Sequence, residues 1–265
     1  MTVLRSRDNS RIRHWRRLIV DRQARRRARR AWIEGTRLVA AYLDAHGPPV
    51  TLVLSAQARR NREIEDLVMR ANLVPVVLAD ALFADLADTE TPQGIAAEID
   101  IPAAPSQEGG DAERYVFLDG VRDPGNLGAI LRSAAAFGVA DVVLGRGCAD
   151  PWAPKVLRAA MGAHFALRLD ETAQLRSRIA AFDGSRICTV PRGGTPLHEI
   201  DLCGRHAWIF GGEGQGVSDA VATIATLHAR IPIAASMESL NVAVAAAICL
   251  YESARQRRMP DAGRQ

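Results

Sequence analysis

The sequence predicts an α/β protein in which a smaller α/β domain precedes a larger domain with a mostly parallel β-sheet flanked by helices. Two observations predict this fold. Over residues 115–257, short apolar runs of strand length alternate with segments of helix length, as in parallel sheets covered on both faces. Between the halves, residues 102–114 are rich in proline, glycine, serine and charge. We therefore predict a front domain over 1–101, a linker over 102–114 and a second domain over 115–265.

The front domain is predicted to contain short alternating elements. Ile33, Leu38, Ala41 and Tyr42 have helical spacing, and the Gly-Pro-Pro sequence at 47–49 ends that helix. Helices are predicted over 31–45, 63–71 and 80–87, the last with Asp80 as its cap, and strands over 50–54, 73–78 and 94–99.

The second domain continues the alternation with longer elements. Strands are predicted over 115–118, 141–144, 165–169, 186–190, 207–210 and 230–233, and helices over 127–137, 155–161, 172–182, 218–223 and 242–256. Ligands of such sheets collect where strands end and loops turn toward helices. Three of these loops contain unusual residues and are where function is expected.

The positive charge is concentrated at the start of the chain. Residues 1–30 contain twelve arginines and two acidic residues, a net charge of +10, whereas the rest has 22 basic and 28 acidic residues, a net charge of −6. A dense basic segment is typical of phosphate binding, although many charged runs are solvated helix faces. Because Trp15 and Trp32 are interleaved with the arginines, we predict nucleic-acid contacts from this segment, through Arg5, Arg7, Arg11, Arg13, Arg16 and Arg17.

Composition excludes several classes of protein. The longest apolar run has ten residues, fewer than the roughly 18–20 needed to cross a bilayer. The arginine-rich start lacks the apolar region of a secretory signal. Four widely spaced cysteines without a CxxC pair suit a reducing compartment. We therefore expect a cytoplasmic protein without a membrane span.

The first unusual loop has the sequence LDGVRDPGNLG over 118–128. Its glycines and proline shape a turn in which Asn126 is predicted as the helix N-cap, with Arg132 six residues further on. It is not a GxGxxG loop, and no acidic residue follows at the ribose-binding distance, which disfavours a nicotinamide or flavin site.

Two further loops complete the set. Four glycines in the six residues 211–216 allow close backbone approach to a ligand, and Glu213 is the one charge among them. The GK[ST] sequence of a phosphate loop is missing there. Ser239 and Asn241 stand at the start of a long apolar helix, where capping is their usual role.

Metal and nucleophile chemistry find little support in the sequence. Cys203 and His206 have a ligand-like separation, but no second pair lies at zinc-site spacing. The GxSxG elbow of serine hydrolases is missing, and no cysteine has a histidine at a recognisable family spacing. We therefore predict no metal centre.

Together the three loops resemble the motifs of the SpoU (TrmH-type) branch of the SPOUT RNA methyltransferases. The matching sequences are LDGVRDPGNLGAILRSAAAFG (118–138), WIFGGEGQGVS (208–218) and IPIAASMESLNVAVAAAICLYE (231–252). In the front domain, SRDNSRIRHWRRL (6–18), WIEGTRLV (32–39) and TPQGIAAEI (91–99) resemble the substrate-binding domain found ahead of the catalytic domain in rRNA-modifying members.

The resemblance implies transfer of a methyl group from S-adenosylmethionine to a ribose 2′-hydroxyl of RNA. It also implies a trefoil knot in the second domain and a homodimer with sites near the subunit interface. The cofactor would be held by Gly211, Gly212, Gly216, Ile231 and Leu240. The reaction site would be lined by Asn126, Arg132, Glu213, Ser239 and Asn241.

The resemblance makes Arg132 the central catalytic residue, sometimes regarded as the base. A guanidinium does not give up its proton in proteins, which disfavours that role. Our hypothesis is that Arg132 holds a neighbouring phosphate and stabilises the developing alkoxide, while the phosphate or a water takes the proton. Glu213 and Asn126 would orient Arg132 and the ribose.

Three alternatives remain open at this stage. Ribosomal RNA of the 23S type is the expected substrate because of the front domain, and transfer RNA is the second candidate. The chain could instead be an RNA-binding assembly factor without activity, although Asn126, Arg132, Glu213 and Asn241 are all present. Methylation that protects the ribosome from an antibiotic would use the same chemistry.

Overall fold

The computed structural model describes residues 3–102 and 113–257. By their contacts, the described residues form two compact units, 3–102 with 150–165, and 113–149 with 166–257. The predicted linker over 102–114 lies mostly outside the described residues. Residues 150–165 belong to the first unit, a placement that no local sequence pattern predicts.

The first part of the chain alternates helices and short strands. Its elements are β1 Val3–Leu4, α1 Ser10–Val20, α2 Arg22–Ala28, β2 Arg30–Glu34, α3 Thr36–His46, β3 Thr51–Ser55, α4 Arg62–Ala71, β4 Val76–Leu78, α5 Asp80–Ala84 and β5 Ile95–Asp100. The sheet order is β1-β4-β3-β5-β2. β5 runs antiparallel to β2 and β3, and the remaining pairs are parallel.

One predicted helix in this unit begins later than expected. Residues 30–34 form strand β2, and α3 starts only at Thr36. Gly35 separates the two with a φ of +97° that favours glycine. The predicted start at residue 31 is wrong because Ile33 was counted in the helical spacing, whereas it is buried in β2, which pairs with β5. Asp80 is the first residue of α5 rather than its cap, and its carboxylate accepts the Gln57 N–H at 2.9 Å.

The second part of the chain contains the larger sheet. Its elements are β6 Arg114–Asp119, α6 Pro124–Ala136, β7 Asp141–Leu144, α7 Pro154–Ala160, β8 Arg168–Glu171, α8 Leu175–Ala180, β9 Ser185–Thr189, β10 Thr195–Pro196, β11 His206–Gly211, α9 Asp219–Ala222, β12 Leu227–Arg230 and α10 Val242–Gln256. Helix α10 has the bounds predicted for it, whereas β12 lies three residues before its prediction.

The seven-stranded sheet has the order β10-β12-β9-β11-β6-β7-β8, and each pair is parallel. The prediction of a mostly parallel sheet flanked by helices is therefore confirmed. Strand β11 is central and fully buried, with Trp208, Ile209 and Phe210 at 1% exposure or less. Such central strands are apolar on both faces because helices cover both sides of the sheet. In the part of the chain that the structure describes, no helix combines the length and apolarity that a membrane span requires.

Candidate active site

A cavity of about 500 Å³ opens at the carboxyl ends of β9, β11 and β12. Thr189 ends β9, Gly211 ends β11, and Ile231 follows β12. The cavity is also lined by the start of α10 and by the glycine-rich loop. All five residues predicted to hold a cofactor contribute to its walls: Gly211, Gly212, Gly216, Ile231 and Leu240.

The glycine-rich loop folds back tightly on itself. An isolated β-bridge joins Gly212 and Gly216, whose N–H donates to the Gly212 carbonyl at 3.0 Å. A Cβ on Gly211 would stand 1.9 Å from the carbonyl carbon of Gly216, and one on Gly212 would stand 2.2 Å from the carbonyl oxygen of Gly120. Backbone therefore fills the space that side chains would need, and these positions require glycine.

Asp119 anchors the far end of this loop. Its Oδ2 accepts the Ser218 N–H at 2.9 Å and the Ser218 hydroxyl at 2.7 Å. Neither Asp119 nor Ser218 was predicted to belong to the site. The sequence signal that could have found Asp119 is its position as the last residue of the strand before the first loop.

Three of the predicted catalytic residues form one hydrogen-bonded chain. Asn126 Nδ2 donates to Glu213 Oε1 at 2.7 Å, and Asn241 Nδ2 donates to Asn126 Oδ1 at 2.9 Å. Asn241 Oδ1 accepts the Ala243 N–H at 2.9 Å, so this residue also caps α10. The chain joins all three loops, because each of its members comes from a different one.

Asn126 does not cap α6, contrary to the prediction. Asp123 is the cap, and its Oδ1 accepts the Asn126 N–H at 2.8 Å. Proline at the first helical position suits this earlier start. Because the cap is three residues earlier, the Asn126 side chain is available to bridge Glu213 and Asn241.

Glu213 is held in its ionised form. Its Oε2 accepts the Arg122 N–H at 3.1 Å, and its Oε1 also accepts the Asp123 N–H at 3.4 Å. Partial burial opposes ionisation, but hydrogen bonds, led by the one from Asn126, outweigh it and lower the pKa of this carboxyl. Glu213 is therefore an acceptor at neutral pH, already occupied by three donors.

The other two predicted catalytic residues stand apart from this chain of hydrogen bonds. Ser239 is exposed and lines the 500 Å³ cavity. Arg132 is the ninth residue of α6 and is exposed. Six helical residues correspond to 1.7 turns, which places Arg132 on a different face of α6 from Asn126. Within residues 3–102 and 113–257, its guanidinium forms no hydrogen bond or ion pair and is free to bind an anion.

A second, polar cavity of about 290 Å³ lies on the other side of the glycine-rich loop. Gly212, Glu213, Gln215 and Gly216 line both cavities, so the loop forms a shared wall. The second cavity adds two guanidinium side chains, those of Arg122 and Arg146. These cations beside Glu213 can bind a phosphate group.

The arginines predicted to contact RNA lie before α1 and on it, in the first unit. Five of the six are exposed, and Arg16 is half-buried. Arg7 and Arg16 approach Asp85 at 2.5 and 3.5 Å. Trp15 and Trp32 do not stand on the surface beside these arginines: both are buried, and Trp15 Nε1 donates to Glu98. The interleaving of aromatics with arginine was therefore a core signal: Trp15 belongs to the buried stripe of α1, and Trp32 is a buried residue of β2.

In the described part of the chain, no cluster of three or more His, Cys, Asp or Glu side chains could hold a metal ion. His206 is buried and bonds to the Gly204 carbonyl at 2.8 Å and Ser253 Oγ at 3.0 Å. Both ring nitrogens are thus occupied. All four cysteines are free thiols, and burial raises the pKa of Cys249 to about 12.

Comparison with known proteins identifies the family. The sequence model described as the SpoU rRNA methylase family matches residues 113–251. The chain belongs to this family. A second model, the MRM3-like substrate-binding domain, matches residues 9–97. Both matches confirm the resemblance expected from the motifs, although the trefoil knot that it implies remains a prediction.

Several members of the family are similar to the chain over nearly its full length. A 23S rRNA (guanosine(2553)-2′-O)-methyltransferase of Bacillus subtilis is 32% identical, covering 95% of the chain and 98% of the relative. The solved SpoU methyltransferase AviRb of Streptomyces viridochromogenes, in complex with AdoMet, is 27% identical with a TM-score of 0.83, covering 94% and 98%. An AdoMet-bound rRNA methyltransferase from Sinorhizobium meliloti is 29% identical with a TM-score of 0.81, covering 96% and 97%.

The 500 Å³ cavity fits S-adenosylmethionine, the cofactor that these two relatives bind. Its volume is in the range of small-molecule sites. Apolar side chains that suit an adenine ring line part of it, among them Ile231, Ile233 and Leu240. Glycine backbone and the polar groups of Glu213, Ser239 and Asn241 line the rest.

Proposed function

We propose that the chain transfers a methyl group from S-adenosylmethionine to a ribose 2′-hydroxyl of RNA, and that its substrate is 23S-type ribosomal RNA. The observation that carries the proposal is the hydrogen-bonded chain Glu213–Asn126–Asn241 at the edge of the cofactor-sized cavity. Support for the substrate comes from the match to a substrate-binding domain and from relatives that methylate 23S rRNA.

The cofactor would lie in the 500 Å³ cavity, against Gly211, Gly212, Gly216, Ile231 and Leu240. When bound, it supplies an electrophilic methyl group. The chain's own residues then have to place the hydroxyl oxygen in line with that group at about 3–3.5 Å. Asn126 and Asn241 are positioned for this because they hydrogen-bond to each other and Asn126 also hydrogen-bonds to Glu213.

The hydroxyl must also lose its proton. Glu213 orients Asn126 in this proposal, since its oxygens already accept three donors. Arg132 would hold a phosphate next to the target ribose and stabilise the developing alkoxide. The proton would pass to that phosphate or to a water.

The test is transfer of labelled methyl to unmodified 23S rRNA, 16S rRNA and tRNA, each offered separately to the purified protein. We expect label in 23S rRNA, with resistance to alkaline cleavage at the next phosphodiester. The Arg132→Ala variant controls for contaminating activity. Label in tRNA alone would overturn the substrate assignment. If the protein binds cofactor but labels no naked RNA, ribosomal particles are offered next. If these are not labelled either, the conclusion would be that the protein is an RNA-binding factor without activity.

Binding of RNA by the basic segment predicts a strong dependence on salt. Six arginine–phosphate contacts correspond to an affinity loss of about a thousandfold between 50 and 200 mM salt. Replacing the exposed Arg11, Arg13 and Arg17 by alanine should reduce the slope of log K against log salt by about three. The measurement is filter binding or fluorescence anisotropy of an rRNA fragment over a salt series.

A matched variant tests whether the position of these charges matters. Arg59, Arg60 and Arg62 are exposed in the same unit, and their replacement by alanine removes the same charge. We expect the slope in this control to stay close to that of the unmodified protein. Equal slopes for the two triple variants would show that α1 is not the RNA-binding segment.

We also propose that the protein is a cytoplasmic homodimer. Helix α10 exposes Val244, Ile248 and Tyr251, with exposed fractions of 49%, 36% and 54%. Spacings of four and three residues put them on one face, and an exposed apolar helix stripe favours a protein interface. A second copy is the occupant that family resemblance implies. The four free cysteines support a reducing compartment.

The homodimer makes a clear prediction for Ile248→Asp. A charge in the centre of the stripe should convert the dimer to a monomer, because the carboxylate would be desolvated without a partner. Sedimentation equilibrium measures the change. Val20→Asp is the control, since Val20 is 78% exposed on α1. A dimer that persists in Ile248→Asp would exclude this face as the interface.

A further inference from the structure

A separate cavity of about 320 Å³ lies within the first unit and shares no residue with the candidate active site. Its walls come from the junction of β2 and α3, from residues 88–93 and from α7. The walls from residues 32–93 lie in the part matched to a substrate-binding domain, whereas α7 lies outside that match, and the match assigns no binding site.

One wall contains a carboxylate in a fixed position. Glu34 ends β2, where its Oε2 accepts the Asp88 N–H at 3.0 Å and its Oε1 accepts the Thr89 hydroxyl at 2.8 Å. Asp88 is held in turn by Arg158 of α7 at 2.6 Å. A carboxylate has about four acceptor positions, so two remain to accept hydrogen bonds from a ligand.

A fixed donor lies in the same cavity. Gln93 Oε1 accepts the Thr36 N–H at 2.9 Å, which defines the orientation of the amide. Its Nε2 has no hydrogen-bond partner among residues 3–102 and 113–257. Gly35 has a φ of +97°, which favours glycine, and a Cβ there would stand 2.9 Å from Gln93 Oε1, so the amide would have to shift. The cavity therefore presents an acceptor and a donor that are both held by the fold.

The remaining walls suit a flat ring with an attached anion. Trp32, Leu38 and Leu157 are apolar and buried, and the indole N–H of Trp32 lacks an acceptor in the described part of the chain. Arg37 lines the cavity, is exposed, and has no hydrogen bond or ion pair with another described residue. Unpaired RNA bases are bound in this manner, with the base edge hydrogen-bonded and the phosphate held by arginine.

We propose that this cavity binds one unpaired guanine nucleotide of the RNA substrate. Guanine presents two adjacent donors, N1–H and the N2 amino group, to Glu34, and its O6 accepts from Gln93. Arg37 binds the nucleotide's phosphate. The inference rests on the proposed RNA substrate. It adds an RNA contact in the first unit that is distinct from the methylation site.

The test is calorimetric titration of the full chain with 5′-GMP, AMP, CMP and UMP, and with guanosine. We expect GMP to bind more tightly than the other nucleotides. Glu34→Gln, which keeps the shape but removes the carboxylate, should weaken GMP binding by roughly tenfold. Arg37→Ala should weaken GMP but leave guanosine unchanged. Arg59→Ala, which removes the same charge elsewhere in the unit, should change neither.

Equal affinity for all four nucleotides, or GMP binding that neither variant weakens, would overturn the proposal. So would the absence of GMP binding at millimolar concentration. In the same preparations, Glu34→Gln should lower the affinity for 23S rRNA whereas Arg59→Ala should not. The titration measures nucleotide binding and does not depend on methyl transfer. If the protein proved not to be a methyltransferase, GMP binding would still be observed, so the failure of one proposal can be told from the failure of the other.

Discussion

Replacing Arg132 by alanine is expected to lower kcat by about 10²–10³-fold while leaving the affinity for S-adenosylmethionine unchanged. Removing one charged group aimed at a developing oxyanion typically has this effect. The cofactor should not respond, because Arg132 does not line the 500 Å³ cavity. Single-turnover methyl transfer to rRNA and equilibrium binding of the cofactor measure the two quantities separately.

The Arg132→Lys variant distinguishes between two roles for the cation. A guanidinium binds a phosphate through two parallel hydrogen bonds, a forked contact, whereas an ammonium acts as a point charge. If the forked contact matters, lysine should recover little of the lost kcat at any pH. Near-normal turnover of Arg132→Lys would contradict the contact through two parallel hydrogen bonds. Turnover of this variant that is lost only at low pH would instead favour a role for residue 132 as the base.

Much of the larger sheet could be predicted because its strands are short apolar runs between polar turns. β7 and α10 have the bounds that periodicity predicts. The N-terminal helices α1 and α2 were not predicted because arginine dominates their sequence and conceals the buried stripe of Ile12, Trp15 and Leu18. Charge density indicated a surface correctly for most of these arginines, although Arg25 is buried, and it gave no information on the secondary structure.

The candidate site shows the same division between local and long-range information. Motif residues Asn126, Glu213 and Asn241 were predicted individually, but their mutual hydrogen bonds depend on three strand ends meeting at one edge of the sheet. The Asp119–Ser218 anchor spans 99 positions of sequence, a distance that no local pattern can report. The helix cap was misplaced because Asp123 and Asn126 are equally suitable capping residues by type.

Replacing Gly211 by alanine is expected to abolish cofactor binding at micromolar concentrations and to lower the thermal unfolding temperature by several degrees. The added Cβ would stand 1.9 Å from the Gly216 carbonyl carbon and 2.0 Å from the Val217 nitrogen. Neither atom belongs to a flexible side chain, so the loop must open. Opening would break the Gly212–Gly216 bridge and displace Glu213, and both cavity walls depend on this segment.

Gly204→Ala is the matched control for this substitution. Gly204 lies in the same unit, has no positive φ, and has no heavy atom within 4 Å of an added Cβ. Its variant should bind cofactor normally and unfold at the same temperature or slightly higher, because alanine lowers the entropy of the unfolded chain. Isothermal titration and thermal unfolding monitored by circular dichroism measure both. Normal cofactor affinity in Gly211→Ala would show that the loop adapts without the Gly212–Gly216 bridge. Cofactor binding would then depend on Ile231 and Leu240 rather than on the glycine-rich loop.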